Sequence, residues 1–277
     1  MQDNNIKNNN KPTYNPEVKD NKENTTLVFG TIIFVVSFFV LGMILQYAFS
    51  YGVGSYFHVD AQEVIKASTA IDFDKYSKEV QDAALIATGW SNLIAYLITF
   101  IGMVVVLRKY LIADFKKIFN KEDSKKTRLI KILTIVLFGI GFAFVAIGID
   151  FLFKNLAPES NNQSLIVLLM KSNLRIVIII PTLILAPIVE ELFYRKIAFT
   201  FLKRFKLPVA YIGCSLLFAL PHMLSTDMSG QWFIQFLPYL ICGGLLTFVY
   251  HINKENIYAS IFAHMCNNLI AIILVFI

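Results

Sequence analysis

Uncharged apolar runs of about twenty residues recur along this chain, and they limit its fold more than anything else in the sequence. A run of that length matches the hydrocarbon thickness of a bilayer as a helix. Only helices and closed barrels satisfy their backbone inside lipid. The 277 residues are 56% hydrophobic and 16% charged, with mean hydropathy +0.61. A soluble domain carries about 25% charged residues, so a single large soluble core is excluded. The expected fold class is all-α: a polytopic helical membrane bundle of about seven transmembrane helices.

The spans read as Leu27–Phe49, Ala84–Leu107, Ile132–Phe153, a fourth starting near Ile176, Pro208–His222, Phe233–Tyr250 and Ile257–Ile277. Residues 1–25 form a polar tail expected to be disordered, and the span after it is expected to be retained as an anchor. Residues 26–170 hold the N-terminal helices and loops, including an acid-leaning loop at 50–83 that has room for a short amphipathic helix. Residues 171–277 form the core that carries the chemistry.

Charge sets the orientation. The loop after the second span holds Arg108, Lys109, Lys116, Lys117, Lys121, Lys125, Lys126 and Arg128 against Asp114, Glu122 and Asp123. By the positive-inside rule this loop is cytoplasmic, which puts the N-terminus inside and, with seven spans, the C-terminus outside. The expected location is the cell membrane, multi-pass. The net charge of +6 therefore reports topology, and no nucleic-acid partner is expected. Cys214, Cys242 and Cys266 form neither a CxxC pair nor a disulfide framework.

Against this apolar background three places stand out. The fourth span contains Glu190, Glu191 and Arg195. The fifth ends Phe218-Ala219-Leu220-Pro221-His222. The seventh contains His264-Met265-Cys266-Asn267-Asn268. Charges within a span are costly and mark functional sites. At a helical rise of about 1.5 Å per residue, Glu190 lies about 22 Å above Phe205, and His222 about 21 Å above Pro208. A hairpin thus returns His222 to the level of Glu190. His264 and Asn268 lie about 12 and 18 Å into the seventh span and share a face as i and i+4.

Glu191 and Arg195 are also i and i+4, in the favourable order for an ion pair. Glu190 points about 100° away from Glu191, so one carboxylate can be neutralised while the other faces a cavity. Carboxylate and imidazole are the groups suited to general acid–base work near neutral pH. Glu190 with His222 can deprotonate a water, and His264 with Asn268 can donate hydrogen bonds to an oxyanion. A structural ion-pair cluster is the competing reading, but it leaves a surplus carboxylate. Two histidines and a glutamate (Glu190, His222 and His264) also form a possible zinc set. With no HExxH helix and asparagine as a weak ligand, a metal-free reaction without a cofactor is the preferred reading. A transporter would show matching inverted halves, and none are seen.

At these residues the chain resembles the CPBP family of intramembrane endopeptidases, which groups type II CAAX prenyl endopeptidases with bacteriocin-processing and self-immunity proteins. The carriers are Glu190-Glu191-x-x-x-Arg195, Phe218-x-x-x-His222 and His264-x-x-x-Asn268, in that order. The resemblance covers roughly residues 170–277. It implies a helical bundle around a catalytic cavity open to the cytoplasmic side, water activated by Glu190 and His222, and an oxyanion site at His264 and Asn268, with Glu191, Arg195 and Phe218 in support. The implied partners are a peptide or membrane-anchored protein substrate and the lipid bilayer. Lys196, where many members have glycine, and Pro221 are departures that remove no catalytic group. A non-catalytic immunity factor or signalling scaffold of the same fold is the alternative.

Overall fold

A computed structural model describes residues 16–277 apart from 71, 159, 225, 227 and 229, with side chains described from Glu23 onward. The described residues are helical with no strand. The chain runs α1 (residues 16–57), α2 (Ala61–Ala67), α3 (Lys78–Ile118), α4 (Lys125–Lys154), α5 (Asn161–Lys171), α6 (Arg175–Leu202), α7 (Leu207–His222), α8 (Trp232–Ile252) and α9 (Ile257–Val275).

Six of these helices, α1, α3, α4, α6, α8 and α9, are long and apolar enough to cross a membrane. The expected fifth span is α7, an apolar helix of 16 residues, shorter than the roughly 20 that hydrocarbon requires. The expectation of about seven crossing helices is thus met by six helices of full length and this shorter one. The protein is a multi-pass helical membrane bundle.

Helix starts follow the sequence. Ser77, Ser124 and Ser160 each accept a hydrogen bond from the backbone N–H three residues on, and Asn256 accepts one from Tyr258. These caps satisfy donors that a helix leaves unpaired. The helices overrun the apolar runs that announced them. The 41 residues of α3 make a rod about 60 Å long, twice the hydrocarbon thickness, because hydropathy reports only the part inside lipid. The expected disorder of residues 1–25 falls mainly outside the described residues, but the chain is helical from Pro16. The short helix in the 50–83 loop is α2, whose Val64 and Ala67 are buried. Helix α5 was not expected.

One end of the bundle is tied together by Asp114, 2% exposed. Its Oδ2 accepts from the Ile257 N–H at 3.0 Å and pairs with Lys196 at 2.5 Å, and its Oδ1 pairs with Lys117 at 2.8 Å. Asn256 donates to the Asp114 carbonyl, and Lys196 donates to the Glu255 carbonyl at 3.0 Å. The C-terminal parts of α3 and α6 and the start of α9 therefore meet here. Glu23 of α1 lies against Tyr110 at the same end. At the other end Asn161 donates to the Thr69 carbonyl and Ser160 bonds to Tyr239. The helices that cross between these ends alternate in direction.

Lipid is as apolar as leucine, so helices in a membrane associate through close packing and polar contacts. Gly243 shows the first. A Cβ there would meet Ser215 Cα at 3.1 Å and Phe218 Cβ at 3.0 Å, so α8 lies directly on α7. A buried polar cluster shows the second. The Gln46 amide donates toward Ser50, Ser68 and Thr88 and accepts from Ser91, joining α1, α2 and α3 away from the basic end.

Candidate active site

The two carboxylates lie in a short α-helical segment, Ala186–Glu191, between two segments of α6 that widen to π geometry, Pro181–Leu185 and Leu192–Phe199. Such widenings recur at functional sites, and here one has a readable cause. The Ala186 N–H bonds five residues back, to the Pro181 carbonyl. The next donor would be residue 187, reaching Thr182. Residue 187 is proline and has no N–H. The Thr182 carbonyl is left over, and the Asn268 side chain donates to it at 2.8 Å.

Glu191 and Arg195 are both fully buried. Arg195 Nε is 3.0 Å from Glu191 Oε2, an ion contact whose angle lies outside hydrogen-bond geometry. The guanidinium is also within 6 Å of two rings, Tyr194 at 5.7 Å and Phe218 at 5.6 Å, and its Nη2 reaches the Gly243 carbonyl at 3.4 Å. The other oxygen of Glu191 accepts from His264 Nδ1 at 3.1 Å. The pairing of Glu191 with Arg195 was expected, whereas the bond to His264 was not.

Glu190 is 5% exposed. Its Oε1 accepts from the Tyr96 hydroxyl at 3.1 Å, and its Oε2 is buried with no hydrogen-bond partner among the described residues. His222 lies within electrostatic reach of both Glu190 and His264. The Phe218 carbonyl is 2.8 Å from His222 Nδ1. A carbonyl only accepts, so Nδ1 carries the proton and Nε2 keeps its lone pair. The imidazole lies face-on to Tyr239, centroids 4.6 Å apart, and Phe218 packs on both His222 and His264. In the structure α6, α7 and α9 meet at Glu190, Glu191, His222 and His264.

Asn268 lies one turn beyond His264 on α9. One of its amide N–H groups is committed to Thr182, and its Oδ1 accepts from Asn267. Among the described residues no three His, Cys, Asp or Glu side chains form a metal-binding group. Glu190, His222 and His264 each turn one ligand atom to Tyr96, Phe218 and Glu191 respectively and keep the other unengaged by these partners.

Sequence reasoning missed two residues here. Tyr96 sits in the second span, twelve residues before Arg108 and so about 18 Å from the basic interface. That is close to the depth estimated for Glu190, and the arithmetic applied to the histidines would have found it. Lys196 was seen only as a departure. It is 7% exposed and belongs to the Asp114 cluster.

A membrane-embedded helical bundle that buries two glutamates, an arginine and a histidine, with a second histidine half-buried beside them, defines the class: a polytopic protein with an intramembrane polar site. Residues 171–270 match the family described as "Type II CAAX prenyl endopeptidase Rce1-like", and the chain carries a domain of that family. Neither the curated proteins nor the solved structures yield a match. The matched segment contains all seven residues singled out in the last four spans and excludes Tyr96.

Proposed function

We propose that the protein is an intramembrane endopeptidase that hydrolyses a peptide bond in a membrane-anchored or peptide precursor, using water activated by Glu190 and His222. The observation that carries this reading is the free Oε2 of Glu190, within electrostatic reach of a histidine whose tautomer leaves Nε2 basic. A carboxylate and an imidazole so placed can share the proton of an attacking water.

His264, whose Nδ1–H is held by Glu191, can donate from Nε2 to the developing oxyanion only as the imidazolium, with a proton on both ring nitrogens, and the second N–H of Asn268 is available to the same oxygen. Glu191, Arg195 and Phe218 hold these groups in place. The proposed reaction calls on no cofactor. Residues 171–277 form the protease core and 26–170 the helices that enclose it.

The basic end of the bundle is taken as cytoplasmic, with the N-terminus inside and the protein in the cell membrane. The site then opens toward the cytoplasmic leaflet, where a prenylated or otherwise anchored precursor would present its bond. The test is purified protein in detergent with two quenched fluorogenic peptides ending in a CAAX sequence, one prenylated and one not. Cleavage that is lost in Glu190→Gln and His222→Ala supports the reading. Wild-type rates in those variants overturn it and leave a non-catalytic immunity factor or scaffold. Chelator inhibition reversed by zinc would replace the metal-free mechanism.

A further inference from the structure

The two neighbouring carboxylates are held differently. Glu191 has both oxygens engaged, one by Arg195 and one by His264. Glu190 has one engaged, and the group that engages it comes from outside the segment matched to the family. The Tyr96 hydroxyl of α3 donates to Oε1 at 3.1 Å.

That hydroxyl is rigidly held. The Tyr96 ring packs edge-on to Phe38 at 5.0 Å, Phe38 stacks on Phe34 at 5.3 Å, and Phe34 stacks on Phe193 at 3.9 Å. Phe193 is three residues after Glu190 on the same helix. The aromatic chain therefore closes a loop, from α3 through α1 and back to α6. A phenol has two side-chain torsions, and ring contacts on this scale fix both. The hydroxyl can reach little else, and the carboxylate cannot turn without breaking this bond.

We infer that Tyr96 is a positioning residue for Glu190: by occupying Oε1 it leaves Oε2 as the oxygen turned to the attacking water. The inference rests on the assignment of Glu190 as the base. A carboxylate free to rotate would offer either oxygen in many orientations, and small misplacements of a reacting group cost rate steeply. The ring loop also gives α1 a task, since Phe34 and Phe38 form the wall behind Tyr96.

The experiment uses the full chain in detergent and the two fluorogenic peptides. Tyr96→Phe keeps the ring and removes the hydroxyl. It should lower kcat about 10- to 100-fold while KM stays within about twofold. In a Glu190→Asp background, where the carboxylate is already displaced, the same change should cost less than about threefold, because the two act through one group. Phe38→Leu loosens the wall without touching the hydroxyl and should lower kcat in the same direction by less.

A readout without turnover is the infrared carboxylate band of Glu190, isolated by subtracting the spectrum of Glu190→Gln. It should move in Tyr96→Phe. A wild-type kcat in Tyr96→Phe, losses that multiply in Glu190→Asp, or an unmoved band would each overturn the inference. If Glu190→Gln itself cleaves at the wild-type rate, the proposed function fails. If Glu190→Gln is inactive and Tyr96→Phe is not impaired, only the role of Tyr96 fails.

Discussion

His264 Nδ1 stands 3.1 Å from Glu191 Oε1, on the side of the carboxylate away from Arg195. Three buried ionisable groups from two helices thus form one chain, and Glu191 is its middle member. The second glutamate of the motif therefore holds α9 and α6 together as well as neutralising an arginine.

Removing the middle of that chain should be costly. Glu191→Gln leaves the Arg195 charge buried without a counter-ion, a situation that costs about 3–5 kcal/mol. Thermal unfolding in detergent should show a large fall in Tm. Glu190→Gln, whose native side chain has no ion pair among the described residues, should unfold near the wild-type temperature.

Asn268 should behave as a backbone cap. Asn268→Ala strands the Thr182 carbonyl and should cost about 1–2 kcal/mol. Pro187→Ala restores an N–H five residues after Thr182. The double variant should regain part of the lost Tm, and a double variant less stable than Asn268→Ala alone would refute the account of the π segment.

The two glycines of α8 should differ. An alanine at 243 meets backbone and ring-bearing atoms of α7 that cannot move independently of the helix. At 244 it meets only Ser215 Oγ at 3.1 Å, which can rotate away. Gly243→Ala should lower both Tm and peptide cleavage, since Phe218 touches both histidines and Arg195. Gly244→Ala should change either by little.

The Asp114 cluster should be asymmetric. Lys196→Met removes one partner but leaves Asp114 with Lys117 and the Ile257 N–H, at a cost of about 1–2 kcal/mol. Asp114→Ala leaves the buried Lys196 ammonium with no carboxylate and only the Glu255 carbonyl, and should cost about 3–5 kcal/mol. Unfolding in denaturing detergent ranks the two.

The span positions and three polar clusters could be read from the sequence because a charge or histidine in lipid has to be explained. Tyr96 did not stand out, since hydropathy treats tyrosine as one more aromatic residue and no charged residue lies near it in the span. The partner of His264 was also hidden. A spacing of i and i+4 says that His264 and Asn268 share a face, but not what lies across from it. The π segments add to this, because they turn the faces of α6 away from the 100° steps used to place its side chains. Helix α5 was missed because its 11 residues are too few to register as a span.

The stranded carbonyl of Thr182 bears on how the protein matures. Helix α6 cannot complete its own backbone bonding, and the group that completes it lies on α9, three helices later in the chain. During synthesis the motif is in the membrane long before that helix arrives. Until then Glu191 lacks His264 and Thr182 lacks Asn268. If the proposed function holds, hydrolytic competence would be acquired in a late step, and a half-made chain would present no working protease to its neighbours.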